Sequence, residues 1–398
     1  MTPVELAAIL AATVVLASMV SVELGISVAL LELGLGVAVG NTFSLDPNTP
    51  WLVFVAQFAS IALTFLAGAE VDPDDFRERL GASLSIGVVS FLGPFVVAWA
   101  VTDGLLGWTL KASLIAGTAL STTSLAVVYA VLVESGLNRT RVGKLLMSAC
   151  FVTDMGTAIA LSAIFIKPNV WFPVFLGVSL VLILALPKLA PWFFRRYGDR
   201  VIEPEIKLVF VCLFVLMVVA DKAKGHAVLP AFVLGLMMSR HYQQHHKEQE
   251  RLRVVAFAFL TPFFFLRGGM NVSLGAVFAN LGVLGLLAGA KMLPKLGFVL
   301  PLARRHVPAH ATFTTLLMST GLTFGTISAL YGLNAHIIDR TQFSLLMTVV
   351  VLSAIVPTAI AQHWFSPDVE EEVAADGSAH VPAVAPSGPQ PLPAGEGA

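Results

Sequence analysis

The sequence predicts an all-α polytopic membrane protein, and three observations carry that prediction. Of 398 residues, 57% are hydrophobic and only 12% are charged, about half the charge of a typical soluble domain. The apolar residues come in runs of ~17–25, the length that spans a ~30 Å hydrocarbon core. Short polar segments punctuate those runs, and Lys and Arg gather in alternate ones. The formal net charge of −1 and the lack of a basic tract give no footing for a nucleic-acid backbone. The two cysteines, Cys150 and Cys212, both fall in apolar runs, so no disulfide framework or zinc site is implied.

Taking the polar breaks as punctuation gives thirteen helices, at 4–21, 25–40, 51–70, 82–101, 110–133, 142–166, 170–193, 205–220, 226–240, 253–271, 275–300, 308–331 and 340–363. The first run follows Thr2-Pro3-Val4-Glu5 without a positive n-region, so it is expected to be a true first span rather than a cleaved signal. The charge distribution tests the count. One set of alternate loops holds fifteen positive residues, among them Arg77, Arg79, Arg139, Arg195, Arg196, Arg251, Arg304 and Arg305. The other set holds five: Lys111, Lys167, Lys222, Lys224 and Arg340. By the positive-inside rule this predicts an outside N-terminus and a cytoplasmic C-terminus. Residues 1–364 form the membrane domain. The remaining 365–398, rich in Pro, Gly, Ala and acid, are expected to be a disordered cytoplasmic tail.

Two spans look interrupted. Span five carries Ser121-Thr122-Thr123-Ser124 at its centre, and span twelve carries Ser319-Thr320-Gly321 followed by Thr323. Small hydroxyl residues and Gly at mid-depth either let helices approach closely or mark an unwound segment lining a protein cavity. The two spans are seven apart in the count, so they run in opposite directions. A matched pair of opposite direction favours an inverted repeat whose discontinuous helices meet at a midplane ion site.

Asp154, in FVTDMG, lies about ten residues into span six, or ~15 Å from its basic end. A charge there costs about 2.5–3.5 kcal/mol to insert and faces a cavity or a partner. Arg267, in FFFLRGGM, is expected at similar depth in span ten. The two are either a structural ion pair or functional groups. A carboxylate in a partly dry cavity is poised to take up and release a proton, and when ionised it offers oxygen ligands to a small cation. One group cannot hold both, so proton and cation compete. Arginine keeps its proton in proteins, so Arg267 is expected as a fixed, charge-balancing cation. Glu70, beside Asp72, Asp74 and Asp75, is either a solvated helix end or a cytoplasmic gate. Glu32 in span two is compatible with the bundle, a partner protomer or the interface. Lys291 and Lys295 in span eleven either snorkel or pair. The histidines of HYQQHHKEQE are expected in a solvated cytoplasmic loop rather than as a pH sensor.

FLAGAEVD (65–72), ALSTTSLAVV (119–128), VGKLLMSACFVTDMGTAIAL (142–161) and LTPFFFLRGGMNVSL (260–274) together resemble the monovalent cation–proton antiporter superfamily, in its bacterial Na⁺/H⁺ and K⁺/H⁺ exchanger branch. The resemblance spans about residues 5–363. It implies a core with two crossed broken helices, a dimerisation domain, a homodimer in the bacterial inner (plasma) membrane and elevator-like alternating access. It implies an antiporter and not an enzyme, with no cofactor: Na⁺, or K⁺ or Li⁺, is transported against H⁺. Asp154 matches the family's ion-binding aspartate, Thr153 the position before it, and Thr122 and Thr123 the unwound segment. Arg267 matches a position that holds Lys in electrogenic members and often Arg in electroneutral ones. With Thr153 where a second acid would stand and no titratable lysine at 267, the expectation is electroneutral one-for-one exchange.

Two other readings compete. A sodium-coupled organic-anion symporter would use the same broken helices but more sodium-ligating side chains. A cation channel or sensor would need no proton-titrating carboxylate. A soluble enzyme has no support, since no phosphate-binding Gly loop, metal cluster or nucleophile–base constellation is present in the sequence.

Overall fold

A computed structural model of the chain describes residues 2–24, 27–43, 45–71, 80–135, 137, 140–164, 169–198, 200, 202–223, 225 and 227–367. Most of the expected tail (368–398), the acidic cluster Asp72, Asp74 and Asp75, and Arg77, Arg79, Arg139, Lys167, Lys224 and His226 lie outside the described residues. Among those described, the ordered elements are helices, with no strand. Ten helices are long and apolar enough to cross a membrane, and Val28–Thr42 is a shorter apolar one. Helices Pro204–Lys222 and Val228–Gln244 complete the thirteen expected segments.

In chain order the helices are α1 (Pro3–Leu24), α2 (Val28–Thr42), α3 (Pro50–Ala69), α4 (Leu80–Ala100), α5 (Leu110–Ser121), α6 (Leu125–Glu134), α7 (Arg141–Ile164), α8 (Phe172–Tyr197) and α9 (Pro204–Lys222). There follow α10 (Val228–Gln244), α11 (His246–Val255), α12 (Thr261–Met270), α13 (Leu274–Ala279), α14 (Leu281–Pro294), α15 (Leu300–His306), α16 (Ala311–Met318), α17 (Thr323–Asn334) and α18 (Arg340–Trp364). Local chemistry sets several of the starts. Thr109 caps α5 by accepting the Ala112 N–H, and Asp339 and Gln342 form a capping box that opens α18.

The interrupted spans are interrupted as expected: α5 and α6 are two halves of one, α16 and α17 of the other. Two expected boundaries moved. The HYQQHHKEQE segment is helix rather than loop, since α10 runs to Gln244 and α11 restarts at His246. Its Lys, Glu and Gln residues are strong helix formers despite being polar. Through the π-turn Ala256–Leu260, α11 runs on into α12, so span ten starts well before the expected residue 253. Span eleven, expected as one helix from 275, is broken at Asn280, whose side-chain amide donates to Ala276 O. Another π-turn, Lys295–Val299, joins α14 to α15 after Pro294, where proline supplies no N–H to the ladder.

The helices pack in two groups. α1–α3 and α8–α12 form one, with α3 against α10 and α2 against α12 as its closest pairs. α4–α7 and α14–α18 form the other and contain both broken spans. The α3–α10 contact is backbone to backbone: a Cβ at Gly235 would overlap Phe65 O, and one at Gly68 would overlap Phe232 O. Between groups, α10 packs on α7 through the stacked rings of Phe151 and Phe232, and Phe232 also meets Phe324 of α17 edge-on.

Candidate functional site

The site is built where the two broken spans cross. Helix α5 stops at Ser121 because Thr122 turns extended (φ −66°, ψ 154°), and α16 stops at Met318. The unwound strands hold each other: Thr123 Oγ1 donates to Met318 O (2.9 Å), and Ser124 N–H to Thr320 Oγ1 (3.4 Å). All of Thr122, Thr123, Ser124, Ser319 and Thr320 are buried. Gly321 makes this approach possible, since a Cβ there would lie 2.6 Å from Lys291 Nζ and 3.0 Å from Thr122 Oγ1.

Both α5 and α16 end here at their C-termini, where the last carbonyls lack helical partners and carry partial negative charge. Two lysines one turn apart on α14 and its continuation meet them. Lys291 Nζ donates to Leu120 O (3.0 Å) and Thr122 O (3.2 Å). Lys295 Nζ lies within bonding distance of four oxygens: Ser90 Oγ (2.7 Å), Met318 O (2.7 Å), Thr123 Oγ1 (3.1 Å) and Ser121 O (3.3 Å). Both side chains are fully buried, so they pair and do not snorkel. Sequence reasoning left their role open. The available signal was their spacing, since residues i and i+4 share one helix face.

Asp154 projects from α7 beside this crossing. One turn earlier Cys150 Sγ sits 3.9 Å from Met318 Sδ, which seats that stretch of α7 on the end of α16. Asp154 is 2% exposed, and its Oδ1 is buried without a hydrogen-bond partner. The charges that act on it are those of Lys295 and Glu70. Thr153 is buried next to it, with its hydroxyl donated back to Cys150 O (2.7 Å). Thr122 likewise donates to Ala119 O (3.1 Å). These hydroxyl oxygens keep lone pairs for a further partner. No group of three His, Cys, Asp or Glu side chains that could hold a metal occurs among the described residues. One carboxylate among neutral oxygens suits a singly charged hard cation better than a transition metal.

Arg267 is not where span ten was expected to put it. The helix begins at His246 instead of 253, which adds about 10 Å at 1.5 Å per residue and carries Arg267 to within three residues of its far end, Met270. There it is buried, and its Nε donates to Pro47 O (3.0 Å) and its Nη2 to Asn334 Oδ1 (2.9 Å). Arg267 therefore does not share the depth or the surroundings of Asp154. The cations at the crossing are Lys291 and Lys295, and Lys295 is the one whose charge acts on Asp154.

Glu70 caps the end of α3 on the basic-loop side, with Oε1 3.4 Å from Arg253 Nε. Burial pushes its carboxyl above the usual carboxylate range, and Arg253 pulls the other way. Glu32 is buried within α2, and its Oε2 has no hydrogen-bond partner. It belongs to the first helix group, away from the crossing. Of the histidines in the basic-side segment, His241 pairs with Glu248 (2.8 Å) and stacks on His245.

Comparison with known proteins bears on what this arrangement does. Residues 9–365 match the model of the sodium/hydrogen exchanger transmembrane family. The chain is 25% identical over 333 residues to the probable Na(+)/H(+) antiporter 3 of Methanocaldococcus jannaschii, covering 79% of this chain and 84% of that one. It is 23% identical over 370 residues to the Na(+)/H(+)-K(+) antiporter GerN of Bacillus cereus, covering 88% and 93%. Its fold is that of the sodium proton antiporter MjNhaP1 of Methanocaldococcus jannaschii solved at pH 8, with a TM-score of 0.67 at 14% identity, covering 90% of this chain and 96% of that one.

Proposed function

The chain belongs to the sodium/hydrogen exchanger family, and from that premise we propose that it is a secondary-active antiporter exchanging a monovalent cation for H⁺ at Asp154. Na⁺ is the first candidate, with K⁺ and Li⁺ behind it. The observation that carries the reading is the buried, unpartnered Oδ1 of Asp154 beside the crossing of two broken helices. An ionised carboxylate there is costly unless something compensates it. A proton does so by neutralising it, and a cation does so by coordination. The two exclude each other, which is the coupling.

Lone pairs on Thr122, Thr123 and Thr153 complete the cation's shell. Lys295 supplies the fixed positive charge that the sequence suggested for Arg267. Its ammonium has three N–H donors facing four oxygens, and hydrogen bonds made by the charged form favour it. In this reading Lys295 stays charged through the cycle and only Asp154 changes state. The loaded site has the same net charge with H⁺ as with Na⁺, so exchange is electroneutral and one for one.

The helix group holding the crossing moves against the other group, elevator-fashion, to expose Asp154 alternately. The basic loops face the cytoplasm, where Glu70 stands at the entrance as a gate. The first group supplies the contact of a homodimer in the plasma membrane. The direct test is a cation series in proteoliposomes with a pH-sensitive dye. Na⁺-driven proton movement is expected in the wild type and none in Asp154→Asn, which should purify as the same folded oligomer. Exchange that survives in Asp154→Asn would remove this residue from the mechanism.

A further inference from the structure

Arg267 is buried and charged, yet the ion site does not use it. It binds Pro47 in the link between α2 and α3, and Asn334 at the last residue of α17. Arg267 and Pro47 belong to the first helix group. Asn334 ends the broken span of the second. One guanidinium thus ties the moving group to the other, at the face opposite the basic loops.

Two cavities open at that face, of about 580 and 630 Å³. The first descends from Asp221 and Tyr331 to Ile61, Phe264 and Ile327. The second lies among Asp46, Asn48, His336 and Arg340. Gln57, Arg267 and Asn334 line both, so the Arg267–Asn334 bond is part of the wall between them. Arg340 and Ser344 also bond across the groups, but to Met270 O, Asn271 O and the Ser273 N–H. Those residues are the end of α12 and the chain segment that leads from it to the other group, where contact survives a relative movement. Arg267 and Asn334 are 67 residues apart and have no such tether.

We propose that the Arg267–Asn334 pair is an outer latch, resting on the antiporter reading above. Closed, it holds α17 against α12 and the α2–α3 link, so that the first cavity ends short of the crossing. Opening towards the outside requires the bond to break. Arginine suits the task because its planar fork holds two acceptors at fixed angles, here one on each side of the latch. Lysine offers a point charge without that geometry.

The test labels Thr64→Cys, buried one turn of α3 beyond the cavity-lining Ser60, from outside with a membrane-impermeant thiol reagent. Cys150 and Cys212 are buried, and the chain without Thr64→Cys supplies their background. Adding Asn334→Ala removes a hydrogen bond to a charged group and is expected to speed labelling by about tenfold. A second variant carries Arg267→Cys and Asn334→Cys, joined by a short cleavable bis-thiol linker. It is expected to lose exchange when linked and regain it when the linker is cut. Unchanged labelling in Asn334→Ala, or full exchange in the linked protein, would overturn the latch. Labelling does not depend on transport, so a wild type that moves no protons would count against the antiporter reading and leave the labelling result standing.

Discussion

Lys295 Nζ lies 2.7 Å from the carbonyl oxygen of Met318, the residue at which α16 stops. The same nitrogen reaches Ser121 O, where α5 stops. One ammonium therefore closes the C-terminal ends of two antiparallel half-helices and links them through Thr123. Each half-helix end on its own would bury orphan carbonyls. Together with Lys291 on Leu120 O and Thr122 O, Lys295 makes the unwound crossing affordable in a dry interior. The positive charge beside Asp154 thus has a structural duty as well as an electrostatic one.

Replacing Lys295 by a residue without a donor should show that structural duty. Lys295→Met leaves Ser121 O without its donor, at about 1–3 kcal/mol, and leaves Met318 O with Thr123 alone. The melting temperature in detergent is expected to fall clearly, and to fall less in Lys295→Arg, which keeps charge and donors. A Lys295→Met protein that melts with the wild type would mean the carbonyls find other donors.

The fixed charge at Lys295 also predicts how transport responds to voltage. If Lys295 never releases its proton, each cycle moves no net charge, and exchange in vesicles should run at the same rate with or without an imposed potential. A rate that rises severalfold with potential would instead show a second proton carrier at the site, with Lys295 the first residue to suspect.

The sequence made much of this legible, for physical reasons that also mark where it stopped. Hydrocarbon thickness fixes run length, so the thirteen segments could be counted. Hydroxyls and Gly at mid-depth exposed the two breaks, and a lone carboxylate at a costly depth exposed Asp154. An apolar run tells depth far better than direction around the helix axis, so nothing showed that Lys291 and Lys295 face the crossing. Arg267 was misplaced because HKEQERLR has the composition of a loop and the propensity of a helix. Starting α11 at His246 carried Arg267 past mid-depth, and the partner Asn334 lies on a different broken span.

The close contact between α3 and α10 gives a stability prediction remote from the ion site. Gly235 faces Phe65 O and Gly68 faces Phe232 O with no room for a Cβ. Backbone cannot give way as a flexible side chain does, so Gly235→Ala should force the helices apart. Overpacking of this kind costs about 1–3 kcal/mol, expected as a lower melting temperature. Phe232 stacks on Phe151 three residues before Asp154, so exchange should fall in parallel. Unchanged stability in Gly235→Ala would mean that α3 and α10 pack less closely.

Glu70 gives the pH dependence a sign. Burial holds its carboxyl above the usual carboxylate range, and Arg253 opposes that shift. As pH falls, Glu70 should therefore take up its proton earlier than an exposed glutamate would. The ionised form is the one that draws a cation to the basic-side entrance and acts on Asp154. Cation affinity from that side should then weaken on acidification, starting at higher pH than an ordinary carboxylate would give. Arg253→Gln removes the opposing pull and leaves burial alone, so the weakening should begin at a still higher pH. Glu70→Gln should abolish that limb and raise the cation KM at every pH. Both are read as KM against pH in vesicles of known orientation. An acid limb that persists in Glu70→Gln would assign the response to another group and take the gate role from Glu70.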